Sequence, residues 1–121
     1  MPRVFAWVLS CRNLNNKGLE QIATLCPKLK FLNVDEVQYL ADSSVKFFVT
    51  KISSTLKHFI LDGETLTDES FTSFGELKSL IDLRISFCDN MNSAGLEAIS
   101  SLSSLEWLKL RRAGALSPQV S

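Results

Sequence analysis

His58 and Asp82 are the first residues whose chemistry has to be weighed. His58 is the single histidine of the chain, and Asp82 follows 24 residues later. An imidazole oriented by a carboxylate can act as a general base. A hydrolase would also need an activated nucleophile, and no serine or cysteine is placed to complete a triad with this pair. The pair therefore reads as part of a strand surface, and the chain is not expected to be an enzyme. Cys11, Cys26 and Cys88 form no C-x-x-C pair and no cluster with histidine, so a zinc signature is lacking. Their odd number and irregular spacing point away from a disulfide framework, towards small apolar thiols packed near turns in a reducing compartment. Asp62-Gly63-Glu64 with Asp68 gathers carboxylates, but the spacing of a calcium loop is absent, and turn and helix-cap roles account for them. Lys109, Arg111 and Arg112 make a small basic end that can meet an acidic partner segment or stay solvated. No metal or other cofactor is expected.

The elements that position these residues recur along the chain. In the stretch from Leu80 to Leu105, Leu80, Leu83 and Ile85 end on a strand's period of two. Leu96, Ile99, Leu102 and Leu105 then follow a helix's period of three to four. The same unit fits from Val4, Leu29, Leu56 and Leu105, so the repeats are spaced 25, 27, 24 and 25 residues apart. The third position after each start is Trp7, Leu32, Phe59, Leu83 or Leu108, and the fifth after it is Leu9, Val34, Leu61, Ile85 or Leu110. All fifteen slots are apolar. The helical halves carry Leu19, Ile22, Leu25; Val45, Phe48, Ile52; Phe71, Phe74, Leu77; and Leu96, Ile99, Leu102, each series predicting one buried helix face. Asn16, Asp42, Asp68 and Ser93 supply helix-capping residue types at the turns, and Pro27 ends the first helix.

The chain has 121 residues, enough for one domain, with 13 basic and 13 acidic residues and a formal net charge of zero. That balance argues against a partner bound mainly through phosphates, so no nucleic acid is expected. No apolar run approaches the roughly 20 residues of a membrane span, so no membrane is expected either. Val4–Leu9 after Arg3 looks like a weak export signal, yet its six residues fall short of an apolar region of about 7–15 residues, and they also fill strand slots. The expected organisation is a repeat domain over residues 1–112, with units starting near 4, 29, 56, 80 and 105, and a tail over 113–121. The chain opens inside one repeat and closes one strand into another without a polar cap. That reads as a fragment or an atypical short product whose uncapped ends associate.

A period of 20–29 residues carrying L-x-x-L-x-L resembles the leucine-rich repeats. The resemblance sharpens to their cysteine-containing class at Gly18-Leu19, Ile22-Ala23 and Cys26-Pro27-x-Leu29. It continues at Leu66-Thr67-Asp68, at Cys88 and at Gly95-Leu96-x-x-Ile99. It covers nearly the whole chain. It implies an α/β solenoid, a right-handed strand–helix horseshoe arc of four full repeats and the strand of a fifth. It also implies a protein-binding role similar to the repeat region of F-box/leucine-rich-repeat proteins, the substrate-recognition subunits of cullin-based (SCF) ubiquitin ligases, in the cytoplasm or nucleus. The alternative is a short structural or assembly factor similar to the mitochondrial ATP synthase factor B proteins.

In such an arc the residues between the apolar slots face the partner. One row is Ala6, Phe31, His58, Asp82 and Trp107; the next is Val8, Asn33, Ile60, Arg84 and Lys109; the third is Ser10, Asp35, Asp62, Ser86 and Arg111. From these rows, Phe31, His58, Ile60, Asp82, Arg84, Trp107 and Lys109 are the expected contacts for a protein partner on the concave face. Aromatic residues and arginine are the usual hot spots.

Overall fold

The computed structural model describes residues 8–10 and 12–111, an α/β arrangement in which every strand pairs with the next strand in sequence. The strands are β1 (Val8–Ser10), β2 (Phe31–Val34), β3 (His58–Asp62), β4 (Asp82–Ser86) and β5 (Trp107–Arg111). The helices between them are α1 (Asn16–Leu25), α2 (Asp42–Ile52), α3 (Asp68–Ser73) and α4 (Ser93–Ser100). A single turn of 3-10 helix, Phe74–Glu76, extends α3. The sheet is wholly parallel, in the order β1-β2-β3-β4-β5. A parallel pair needs a crossover between its strands, and each helix supplies one.

From β2 to β5 the register is the one the apolar slots predict. Leu32, Phe59, Leu83 and Leu108 are in line, as are Val34, Leu61, Ile85 and Leu110. The slots of β2 to β4 and the preceding Leu29, Leu56 and Leu80 are essentially inaccessible to solvent. They form one cluster with the inward residues of the helices. Four rings run through its centre, with Phe48–Phe59, Phe59–Phe74 and Phe71–Phe74 centroids 5.4, 5.5 and 5.9 Å apart. The strands β3, β4 and β5 also open on a repeated backbone contact. The carbonyl of Lys30 accepts from the amides of Lys57 and His58, that of Lys57 from Ile81 and Asp82, and that of Ile81 from Glu106 and Trp107.

The structure corrects several sequence expectations. In the first unit, Val8 pairs with Phe31, Leu9 with Leu32 and Ser10 with Asn33, a shift of two residues from the expected alignment. Leu14, packed against the core, takes the place that Val37 and Cys88 hold later. Leu25 and Leu96, expected inside, are 40% and 46% exposed. At 100° per residue the inward line of α1 runs through Leu19, Ala23 and Cys26, and Leu25 falls off it. In α4 the inward line is Gly95 and Ile99, and Leu96 sits on its shoulder. Leu108 is 42% exposed because β5 ends the sheet. Val4, Ala6, Trp7, Cys11, Arg112 and the tail lie outside the described residues. Cys26 and Cys88 are buried thiols. The Cys88 amide and Sγ both donate to the carbonyl of Arg111.

The expected capping residues turn out to act between successive helices. The helices are capped by Asn15, Ala41, Thr67 and Asn92, one residue earlier than the sequence suggests. Asn16, Asp42 and Asp68 instead reach forward. Asn16 Oδ1 accepts from the Ala41 amide at 2.7 Å, Asp42 Oδ1 from the Thr67 amide at 3.0 Å, and Asp68 Oδ1 from the Asn92 amide at 2.8 Å. Asp42 also accepts from the hydroxyls of Thr67 and Ser70, and Asp68 from the Gly95 amide. Each helix start is thereby fastened to the next. Among the described residues no helix is long and apolar enough to cross a membrane.

Candidate functional site

The face of the sheet turned away from the core is built by the residues that alternate with the slots. Across β2 to β5 its rows are Phe31, His58, Asp82, Trp107; then Asn33, Ile60, Arg84, Lys109; then Asp62, Ser86, Arg111 with Asp35 just past β2. The structure thus brings all seven expected contact residues onto neighbouring positions of one face. Trp107 is 62% exposed; Arg84 and Lys109 are also exposed, and Phe31, His58 and Ile60 are half-buried.

Asp82 differs from the rest: its carboxylate is buried beneath its neighbours. His58 Nδ1 donates to Asp82 Oδ2 at 3.1 Å, and Arg84 Nε donates to Asp82 Oδ1 at 3.1 Å. The His58 ring lies 5.4 Å from the Phe31 ring, tilted by 33°. One buried carboxylate therefore fixes an imidazole from the preceding strand and a guanidinium from its own. Asp82 is a positioning group, not the contact residue the sequence suggests. A buried charge of this kind is tolerable only while both partners hold it.

Opposite charges gather at the two ends of the third row. Asp62 is buried, and its Oδ1 accepts from the Glu64 amide at 2.8 Å. Burial pushes the Asp62 carboxyl above its ordinary value. The Glu64 amide opposes that, and the charges of Glu64 and Asp35 add to it. At the other end Arg111 places its guanidinium 5.1 Å from the centre of the Phe87 ring. Phe87 holds a left-handed backbone with φ of 59°. Sequence reasoning missed Phe87 as the seat of Arg111. Its position directly after β4, one register step from β5, is the signal that could have found it.

Among the described residues no three His, Cys, Asp or Glu side chains are grouped so as to hold a metal ion. Asp62 and Asp68, considered for calcium, are engaged by the amides of Glu64, Asn92 and Gly95. On the helix side, Lys17, Glu20, Gln21, Thr24, Leu25 and Phe47 line a shallow groove of about 370 Å³. No protein-family model matches the chain, and no curated protein matches it in sequence.

Proposed function

We propose that this chain is a leucine-rich-repeat solenoid of the cysteine-containing class that binds a protein segment on the concave face of its sheet. The observation that carries this reading is the unbroken register from β2 to β5. It lines up apolar slots on one side and Phe31, His58, Ile60, Arg84, Trp107 and Lys109 on the other. Large aromatics and a forked cation on a rigid surface are the residues that yield most when desolvated by a partner. The module binds and does not catalyse. The motif resemblance at Gly18-Leu19, Cys26-Pro27 and Gly95-Leu96 assigns it the role of substrate recognition in an F-box-type ubiquitin ligase, in the cytoplasm or nucleus.

The test is partner capture from cell lysate with folded variants. Trp107→Ala and Phe31→Ala are each expected to weaken capture by about 1–3 kcal/mol. Lys17→Glu in the helix-side groove and Glu97→Lys on α4 are expected to cost under about 0.5 kcal/mol. Loss of partners by the helix-side variants, with retention by the sheet-face variants, refutes the assignment of the face. Failure of the captured assembly to contain a cullin scaffold refutes the ligase role.

A further inference from the structure

We infer that the occupant of this face is an extended peptide that sets carboxylates on Arg84, Lys109 and Arg111, beside an apolar side chain resting on Trp107. This rests on the binding-face reading above and specifies the chemistry of the partner.

The three cations are neighbours by construction. Arg84 is in register with Lys109, and Ser86 with Arg111. Adjacent strands lie about 4.8 Å apart, and alternate residues of one strand about 6.6 Å apart. One or two carboxylates can therefore touch all three groups. Two of the cations are already aimed. Asp82 holds Arg84 through Nε alone, which leaves its paired terminal nitrogens for a bidentate carboxylate. Arg111 is steadied over the Phe87 ring. Side chains ordered before binding lose less freedom on binding, so less of the gross attraction is forfeited. Among the described residues no carboxylate forms an ion pair with Lys109 or Arg111. Their charge is uncompensated next to the largest exposed aromatic of the sheet.

Charge elsewhere on the face selects a peptide over a uniform polyanion. Asp35 and Asp62 lie at the far end of the third row, two to three strand steps or about 10–14 Å from Arg111. A nucleic acid long enough to cover the face would lay phosphates against these carboxylates and be repelled. A peptide can place acids at one end only.

The probes are a fluorescein-labelled twelve-residue peptide alternating Glu and Leu with one central Phe, the same peptide with Gln for every Glu, and a twelve-nucleotide oligo-dT. Binding is followed by anisotropy and by amide chemical shifts of the labelled protein at low salt. The Glu peptide is expected to bind at least tenfold more tightly than the Gln peptide and the oligonucleotide, with shifts concentrated at 84–86 and 107–111. Arg84→Gln strips a partner from buried Asp82, so the deciding variant is Lys109→Gln with Arg111→Gln. It should lose at least tenfold in affinity while its melting temperature holds. Equal binding of the Glu and Gln peptides, tighter binding of oligo-dT, or no binding of the Glu peptide at millimolar concentration overturns the inference. If the peptide fails while Trp107→Ala and Phe31→Ala still abolish partner capture, the chemistry is wrong and the face stands. If the helix-side variants abolish capture, the face itself is wrong.

Discussion

Replacing Asp42 with alanine removes the most heavily used fastening between two repeats. Its carboxylate, in the first turn of α2, accepts from the Thr67 amide at 3.0 Å, the Thr67 hydroxyl at 2.8 Å and the Ser70 hydroxyl at 2.5 Å. Ser70 is fully buried, so the substitution strands its hydroxyl away from water. A hydrogen bond to a charged acceptor is worth about 1.5–3 kcal/mol net, less at solvent-facing positions, and a stranded buried donor costs about 1–3 kcal/mol. The bonds to Thr67 face solvent and the Ser70 bond does not, so we expect Asp42→Ala to cost about 2–3 kcal/mol. Burial works to raise the Asp42 carboxyl, but the hydrogen bonds from Ser70 and Thr67 outweigh it and hold the group below its ordinary 3.8. A depressed native pKa gives stability that is present above the unfolded value and lost as pH falls through the folded one. The gap between wild type and variant should therefore be largest at pH 7 and narrow as pH drops below about 3.8, because a protonated Asp42 accepts these bonds more weakly. Urea denaturation at pH 7, 4 and 2.5, with a Ser70→Ala cycle, measures both effects. A pH 7 cost under about 0.5 kcal/mol, or a gap that does not narrow in acid, refutes the claim that this carboxylate ties α2 to α3.

Three further outcomes follow from the same geometry. Leu83→Asp puts a carboxylate at a fully buried slot with no partner and should unfold at least its own repeat; an unchanged melting curve and circular dichroism spectrum would mean the register is wrong. Asp62→Asn keeps an acceptor for the Glu64 amide and removes a charge whose native pKa is raised by burial, and further by Glu64 and Asp35. Because that pKa is raised, wild type loses stability as pH climbs from 3.8 through the native value, so the variant should be the more stable of the two at pH 7; a less stable variant in urea melts at pH 7 contradicts this. Gly95→Ala would bring a Cβ to 2.5 Å from Asp68 Oδ1 and 2.8 Å from Phe71 Cβ, whereas at Gly75 the nearest contacts are an ordinary 3.4 Å. We expect a cost of about 1–3 kcal/mol at Gly95 and little at Gly75, read from thermal melts of the two variants.

The register of four strands was legible because burial on one face and exposure on the other forces a period of two, and a slip of one residue would turn every slot outward. A slip of two leaves the faces unchanged, which is why β1 was misaligned. Val4, Trp7 and Leu9 fit the apolar template, and so do Ala6, Leu9 and Cys11. Hydrophobicity cannot separate them, and only the pairing of Val8 with Phe31 does. The rows of the candidate face were legible for the same reason, but depth was not. Alternation puts Asp82 and Trp107 in one row, while the structure buries the first and exposes the second. Asp82 lies inside the sheet with a strand on either side, and Trp107 lies on its last strand. The ties from Asn16, Asp42 and Asp68 were half legible: the sequence shows capping chemistry at each helix start. It does not show that the side chain serves the following repeat, since that depends on how closely successive helices stack.

Asp82 constrains how anything can bind beside it. Its carboxylate joins β3 to β4 through His58 and orients Arg84. A ligand that drew Arg84 away by its Nε would leave a buried carboxylate with His58 alone. The Arg84 side chain is 46% exposed, so breaking this pair costs less than breaking a fully buried one, yet it still leaves the buried carboxylate short of a partner. The proposed peptide would keep that bond by approaching Arg84 through its terminal nitrogens, along the line towards Lys109. The tie between β3 and β4 and the orientation of Arg84 are thus held by the same carboxylate. A ligand bound there should protect the β3–β4 amides from hydrogen exchange as well as those it touches.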